Sequence, residues 1–351
     1  MLAQRINGLA LGYEDLNDRE QLRHDPLMAV LAGKKKIGQQ LAGKSTLNRM
    51  ELVPDGDALK ERYCRISYSV EAIDELLVTL YPESQARAPR RIVLDLDSTD
   101  VPLHGQQEKR FFHGYYNHYC YLPLYIFCGD HLLRARLRPA NIDGSAGSLD
   151  EVQAVVAQIR ARWPKTQIIL RADSGFCRDE LMNWCETNGV DYVIGFARND
   201  RLRTLIEPQM QQAQAEQLEG KENPRYVVTT LGTEAWPARL LYEKLYCERG
   251  EMENRIKEQM NLFADRLSAE TLRSNQLRLY LSSLAYVLVC GLRRLALKGS
   301  QWAEAQVGTI RLRLLKVAAR VTVTARRVWV SYSSAYAWRS QFEAAFSALR
   351  T

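Results

Sequence analysis

The residues with the clearest chemical potential are carboxylates that follow unbroken apolar runs. Residues 91–100 read Arg-Ile-Val-Leu-Asp-Leu-Asp-Ser-Thr-Asp, so Asp95, Asp97 and Asp100 close a stretch free of Gly and Pro. Such a run reads as a buried strand, where Asp is a poor fit. A buried carboxylate is costly unless something positive pairs with it. Two explanations fit: an Asp turn that bonds local backbone, or a divalent-metal site, because hard cations take oxygen ligands. Residues 167–173, Gln-Ile-Ile-Leu-Arg-Ala-Asp, repeat the pattern and end on Asp173, ahead of Ser174-Gly175-Phe176. A third carboxylate comes from residues 237–263, expected to form one helix. There Tyr246, Arg249, Glu253 and Lys257 lie three and four apart and share one face. A solvated, salt-bridged face is the plain alternative for that helix.

These side chains need a sheet to hold them. A polar loop at 102–107 is followed by an aromatic, β-forming segment at 115–127, a turn at Gly129-Asp130 and a segment at 132–137. Together they read as a hairpin beside the first strand. In residues 148–163, Val152, Val155, Val156 and Ile159 recur at helical spacing. Ser148 is the expected N-cap, with Glu151 completing a capping box, and Pro164 ends the helix. A strand at 167–173, a helix at 178–187 and a strand at 190–196 complete a mixed α/β sheet flanked by helices. Functional side chains gather at the carboxyl ends of neighbouring strands in such sheets, and Asp97 and Asp173 meet there if their strands pair. Asp95 and Asp97 are two apart and point to the same face, so alternation does not choose between them.

The chain divides into a helical region at 1–90, the sheet region at 91–265 and a mostly helical region at 266–351, with a strand expected over 321–330. It has 351 residues, a net charge of +7 and 46% hydrophobic residues, with a pI near 9.0. Clusters at 34–36, Arg293-Arg294 and Arg326-Arg327 fit a polyanion partner, as they fit any mildly basic enzyme. Seven cysteines without a CxxC pair read as reduced, buried thiols of a cytosolic protein. No basic-then-apolar leader opens the chain. The most apolar run, 280–292, is short for a bilayer and reads as a core helix, so no membrane partner is expected. Gly38-x-x-x-x-Gly43-Lys44-Ser45 matches a phosphate-loop pattern, but no buried strand precedes it, as that loop requires. A basic loop with Lys44 touching nucleic-acid phosphate suits it better. His104, His113 and His118 lack zinc spacing and read as structural or DNA-facing.

With these pieces in order, the sequence resembles the DDE-class transposases of bacterial insertion sequences, which have an RNase H-like catalytic fold. Tyr246-x-x-Arg249-x-x-x-Glu253 is similar to that superfamily's third-carboxylate signature. Residues 111–116 (Phe-Phe-His-Gly-Tyr-Tyr), 171–176 and 249–258 resemble one subgroup, the thirteen-eighty group. The resemblance implies metal-dependent strand cleavage and transfer, with Asp97, Asp173 and Glu253 as catalytic residues holding two Mg²⁺ or Mn²⁺ ions. Asp97 would bridge both ions. Tyr246 and Arg249 would grip backbone phosphate, and Lys257 is a further DNA contact. Ser98-Thr99 after Asp97 match the family pattern and favour it over Asp95, with Asp100 third. The implied partners are double-stranded DNA, as inverted-repeat ends and target, and a second copy of the chain on that DNA. The implied location is the cytoplasm, at the nucleoid. Three departures stand out. Met260 occupies the position of the family's lysine, for which Lys257 or Arg255 would substitute. Relatives usually start upstream of Met1. A Gln/Ala-rich patch at 209–217 stands where a β-rich insertion is expected. The copy therefore reads as shortened, and an inactive, DNA-binding relict or another RNase H-like nuclease stays open.

Overall fold

The computed structural model describes residues 1–351 except 16, 35–38, 53–66, 216–224, 325–326 and 351. Lys35, Lys36, Gly38, Cys64, Arg326 and the end of the Gln/Ala-rich patch thus lie outside the described residues, as do residues 53–66 of the helical region expected at 1–90. Among the described residues five helices precede the sheet: α1 (Leu2–Ala10), α2 (Asp18–Leu22), α3 (Pro26–Leu31), α4 (Lys44–Glu51) and α5 (Val70–Glu83). Asp25 caps α3 ahead of Pro26, as its sequence leads one to expect. Gly43 is the N-cap of helix α4, and no side chain bonds there.

The strands are β1 (Arg91–Ser98), β2 (Val101–Pro102), β3 (Phe111–His113), β4 (His118–Tyr121), β5 (Leu124–Cys128) and β6 (His131–Arg136). After α6 (Ser148–Arg162) come β7 (Gln167–Ala172), α7 (Asp179–Thr187), β8 (Asp191–Phe196), α8 (Asp200–Ala215) and β9 (Tyr226–Thr229). Six strands form one mixed sheet in the order β6-β5-β1-β7-β8-β9. Strand β1 pairs parallel with β7 and antiparallel with β5. The aromatic segment therefore splits: β5 and β6 are the hairpin beside β1, whereas β4 joins β2 and β3 in a separate small sheet. Pro123 separates β4 from β5 and cannot donate to a ladder. Helix α6 also departs from its expected cap. Gly147, with φ of 72°, is the N-cap, and Glu151 instead binds Arg134 and Arg136.

The period of two along β1 sorts its side chains. Ile92, Leu94 and Leu96 face a core made with α5, α6 and α7. Val93 faces the other side, with Ile169, Val193, Leu241 and Leu245, and Asp95 and Asp97 share its parity. Leu94 and Leu96 are fully buried, each contributing roughly 1.5–3 kcal/mol by transfer from water.

The chain then runs through α9 (Ala238–Leu240), a π-helical turn Leu241–Tyr246, a 3-10 turn Cys247–Arg249 and α10 (Gly250–Met260). The expected single helix is thus overwound and underwound across its signature residues. Helix α11 (Leu272–Ala296) is longer than the apolar run that marked it. It is long and apolar enough by length and composition to cross a membrane. In the structure it is the central core helix, with Leu279, Tyr280, Leu281, Ala285 and Tyr286 buried. Helix α12 (Val307–Ile310), the hairpin β10 (Ala319–Val323) and β11 (Val328–Tyr332), and α13 (Arg339–Ala348) follow. Two strands thus replace the one expected over 321–330. Residues from α1, α4, α11, α12 and α13 share one core. Within it, fully buried Glu51 pairs with Arg5 at 2.6 Å, Arg19 at 2.9 Å and Arg278 at 3.2 Å. The six cysteines among the described residues are free thiols; of these Cys177 is half-buried and Cys247 exposed rather than buried.

Candidate active site

The parallel register places Leu96 opposite Ala172, so Asp97 and Asp173 leave neighbouring strands at the same end. Asp173 ends its strand by capping a short 3-10 turn, its Oδ1 accepting from Gly175 N at 2.8 Å. Asp97 Oδ1 likewise accepts from Ser98 N at 2.9 Å. Local backbone bonding, the plain reading of these aspartates, is therefore real, and it leaves their other oxygens for longer-range partners.

Those partners come from the helix that crosses the sheet face. Leu241 and Leu245 seat it on Ile169 and Val193, which brings Arg249 over the strand ends. Its Nη1 donates to Asp97 Oδ2 at 3.2 Å and its Nη2 to Glu253 Oε1 at 3.4 Å. Asp97 is 14% exposed and Glu253 51%. Burial, followed by the charges of Asp173 and Glu253, pushes the Asp97 carboxyl up to about 6 against the pull of Arg249. Burial pulls the Arg249 guanidinium down, but Asp97, Asp173, Tyr246 and Glu253 more than offset it. The three carboxylates thus act on one guanidinium. Among the described residues no three His, Cys, Asp or Glu side chains form a ready-made cation cage, and Arg249 is the positive partner that joins Asp97 to Glu253.

Asp95 has a different role from its neighbour two residues on. The register sets it opposite Arg171. Arg171 Nη2 donates to Asp95 Oδ2 at 2.8 Å, its Nε to Oδ1, and its Nη1 to the Leu245 carbonyl. Burial pushes the Asp95 carboxyl up, and the Arg171 fork opposes it. This pair ties β1, β7 and the overlying helix together. Asp100 is engaged as well, accepting from His118 Nε2 at 2.7 Å.

Tyr246 rests against the second strand end. A Cβ built on Gly195 of β8 would lie 2.5 Å from Tyr246 Oη and 3.0 Å from Ser174 N, so only glycine lets the tyrosine reach Asp173. The carboxylate pattern does not single out Gly195, although a lone Gly inside a strand marks such a close approach. The remaining candidates separate. Lys257 is exposed, one turn beyond Glu253. Arg255 is committed to Glu251 and Glu258. Lys44 opens α4 among the N-terminal helices, its backbone N–H donating to Glu20, in a cleft lined by Glu14, Asp15 and Asn48. The small sheet stands at the end of β1. Burial, Asp100 and Asp97 push the Tyr116 hydroxyl up to about 12, which places that ring beside the carboxylates. Phe112 and Tyr119 cross edge to face at 5.6 Å, with Arg110 3.7 Å over Tyr119.

A comparison with curated proteins finds no match. The sequence model of the family described as transposase DDE domain group 1 matches residues 1–222 and 212–351. The two matches span the described sheet, the crossing helix and both flanking helical regions. The chain therefore belongs to the transposase DDE domain group 1 family.

Proposed function

We propose that the chain is a DNA transposase of a bacterial insertion sequence, of the thirteen-eighty group, with an RNase H-like catalytic region at 91–265. In this reading Asp97, Asp173 and Glu253 are the catalytic carboxylates. Residues 1–90 contribute DNA contacts and residues 266–351 close the core. The observation that carries the reading is the guanidinium of Arg249 held jointly by Asp97 and Glu253 at the end of two paired strands, with the charge of Asp173 acting on Asp97 and Arg249.

The donor set suits Mg²⁺ or Mn²⁺: three carboxylates with no thiolate or imidazole among them. Asp97, whose charge burial disfavours, is the group with most to gain from a second cation. Asp97, Asp173 and Glu253 would hold the ions. When bound, a pair of such ions activates an oxygen nucleophile and stabilises the leaving oxygen. The protein's own part is positional. Arg249, which bonds Asp97 and Glu253, would be the side chain to hold a DNA phosphate beside those carboxylates, since its fork suits a phosphate bidentately. The Tyr246 hydroxyl, at the wall of Gly195, faces the same approach.

The test is cleavage of duplexes carrying the element's inverted-repeat ends, with Mg²⁺ or Mn²⁺. Asp97→Asn, Asp173→Asn and Glu253→Gln should each lower the rate about 100-fold or more, about 3 kcal/mol of barrier. An Asp173→Asn protein that cuts like the wild type overturns the site. A second reading, a DNA-binding relict, is favoured by the half-exposed Glu253 pairing with Arg249 rather than converging on the aspartates. Specific end binding without cutting under either metal would establish it.

A further inference from the structure

Beside the second strand end lies a small cleft of about 160 Å³, lined by Ser174, Gly195, Phe196, Arg198, Arg225 and Tyr246, with Tyr226. It begins where Asp173 ends, because Ser174 follows Asp173 in the chain, and Tyr246 is shared with the carboxylate site. Arg198 and Arg225 are both exposed, and neither has a carboxylate partner among the described residues. The Tyr226 hydroxyl is buried without a hydrogen-bond partner. The charge of Arg225 reaches Tyr246 and works against the upward push that burial gives its hydroxyl. Among the described residues the cleft therefore gathers two cations without a carboxylate partner and three hydroxyls, and none of its lining side chains is acidic. It is smaller than the roughly 300 Å³ at which organic ligand pockets begin. That volume and that donor set suit a tetrahedral anion, which arginine forks bind bidentately.

We propose that this cleft seats one DNA backbone phosphate next to the bond that is cut, held by Arg198 and Arg225 with the hydroxyls of Ser174, Tyr226 and Tyr246. The inference rests on the reading of the chain as a DNA-cutting protein and adds to it a site that fixes the strand's register on Asp173. Gly195 serves both sites, since its missing side chain admits the Tyr246 ring to the wall between them.

The experiment measures duplex binding in EDTA as salt is raised, so that it needs no catalysis. Arg198→Gln and Arg225→Gln are compared with Arg160→Gln, which alters an arginine at the far end of the strands, bonded to Gly189. Each cleft variant should flatten the log affinity against log salt slope by about 0.9, as one lost phosphate contact does, while Arg160→Gln leaves it unchanged. A single neutral methylphosphonate next to the cut should weaken the wild type about tenfold and Arg225→Gln much less. Unchanged slopes in both cleft variants, or equal flattening in Arg160→Gln, overturn the phosphate seat. So does a methylphosphonate that weakens wild type and Arg225→Gln alike. A wild type that binds no duplex overturns the seat and the DNA-cutting reading together.

Discussion

Asp95 and Asp97 are chemically alike, two residues apart and on one face, yet the structure assigns them opposite stability effects. Asp95→Ala removes the partner of a guanidinium that is only 6% exposed. Arg171 would keep the Leu245 carbonyl and, at 3.6 Å, the largely exposed Glu248. Breaking a buried pair from one side costs roughly 3–5 kcal/mol, because an uncompensated charge stays behind. Asp97→Asn is the reverse case. Burial already disfavours the Asp97 charge, and Arg249 retains Glu253. The neutral isostere should cost less than about 1 kcal/mol or stabilise the fold, on the scale of a partly exposed pair. The assay is urea denaturation in EDTA, followed by tryptophan fluorescence. Replacing both members of the buried pair, Asp95→Leu with Arg171→Met, should recover most of the loss, since apolar replacements of buried pairs are often neutral. Equal destabilisation by Asp95→Ala and Asp97→Asn would refute the division of labour, and so would an Asp95→Ala protein as stable as the wild type.

Other outcomes follow from the same geometry. Gly195→Ala forces Tyr246 or the Asp173 turn to move and should cost about 1–3 kcal/mol by overpacking, visible in the denaturation midpoint. Buried Glu258 accepts from Arg293 at 2.6 Å, Arg255 at 3.1 Å and Val307 N at 3.0 Å. Glu258→Ala should therefore lose roughly 3–5 kcal/mol, read by the same denaturation. Burial would raise the Asp130 carboxyl, but His131 and Arg294 hold it down to about 2. Its folded value lies below its unfolded one, so its contribution is full above about pH 4 and fades as pH falls toward 2. Stability of Asp130→Asn should trail the wild type by about 2 kcal/mol at neutral pH, the gap closing on acidification in a pH series of urea titrations. Leu94→Ala, in the buried face of β1, should cost about 2–5 kcal/mol while leaving the carboxylate face intact, checked by duplex binding.

Most of the sheet was legible because its strands are short, unbroken aliphatic runs, whereas the pairing of β1 with β7 was left conditional and β9, behind the Gln/Ala-rich patch, was not read as a strand. Which aspartate does what was not legible, because two residues of equal parity differ only in what stands opposite them. That Arg171 stands opposite Asp95 is set by register, a long-range fact. The split of the aromatic segment was missed because β4 and β5 are both rich in β-formers, and only Pro123 marks the break. The Ser148 capping box failed because Glu151 has better partners in Arg134 and Arg136, two residues of β6 that no local pattern connects to it. The signature residues were found by spacing on an ideal helix, but the π and 3-10 turns through 241–249 alter that spacing. π-turns cluster at functional sites, and this one sets Arg249 over the strand ends.

The buried knot at Glu51 has a consequence for how this protein can be taken apart. Arginines from the first, second and eleventh helices meet on that one carboxylate, and the same core holds Leu9 near one terminus and Ala345 near the other. The leading helices are thus not a detachable module in front of an engine. Grafting them onto another protein, or expressing the sheet without them, would leave both pieces with an open apolar wound and stranded charges. These helices can therefore vary by substitution on their surface more readily than by exchange as a block.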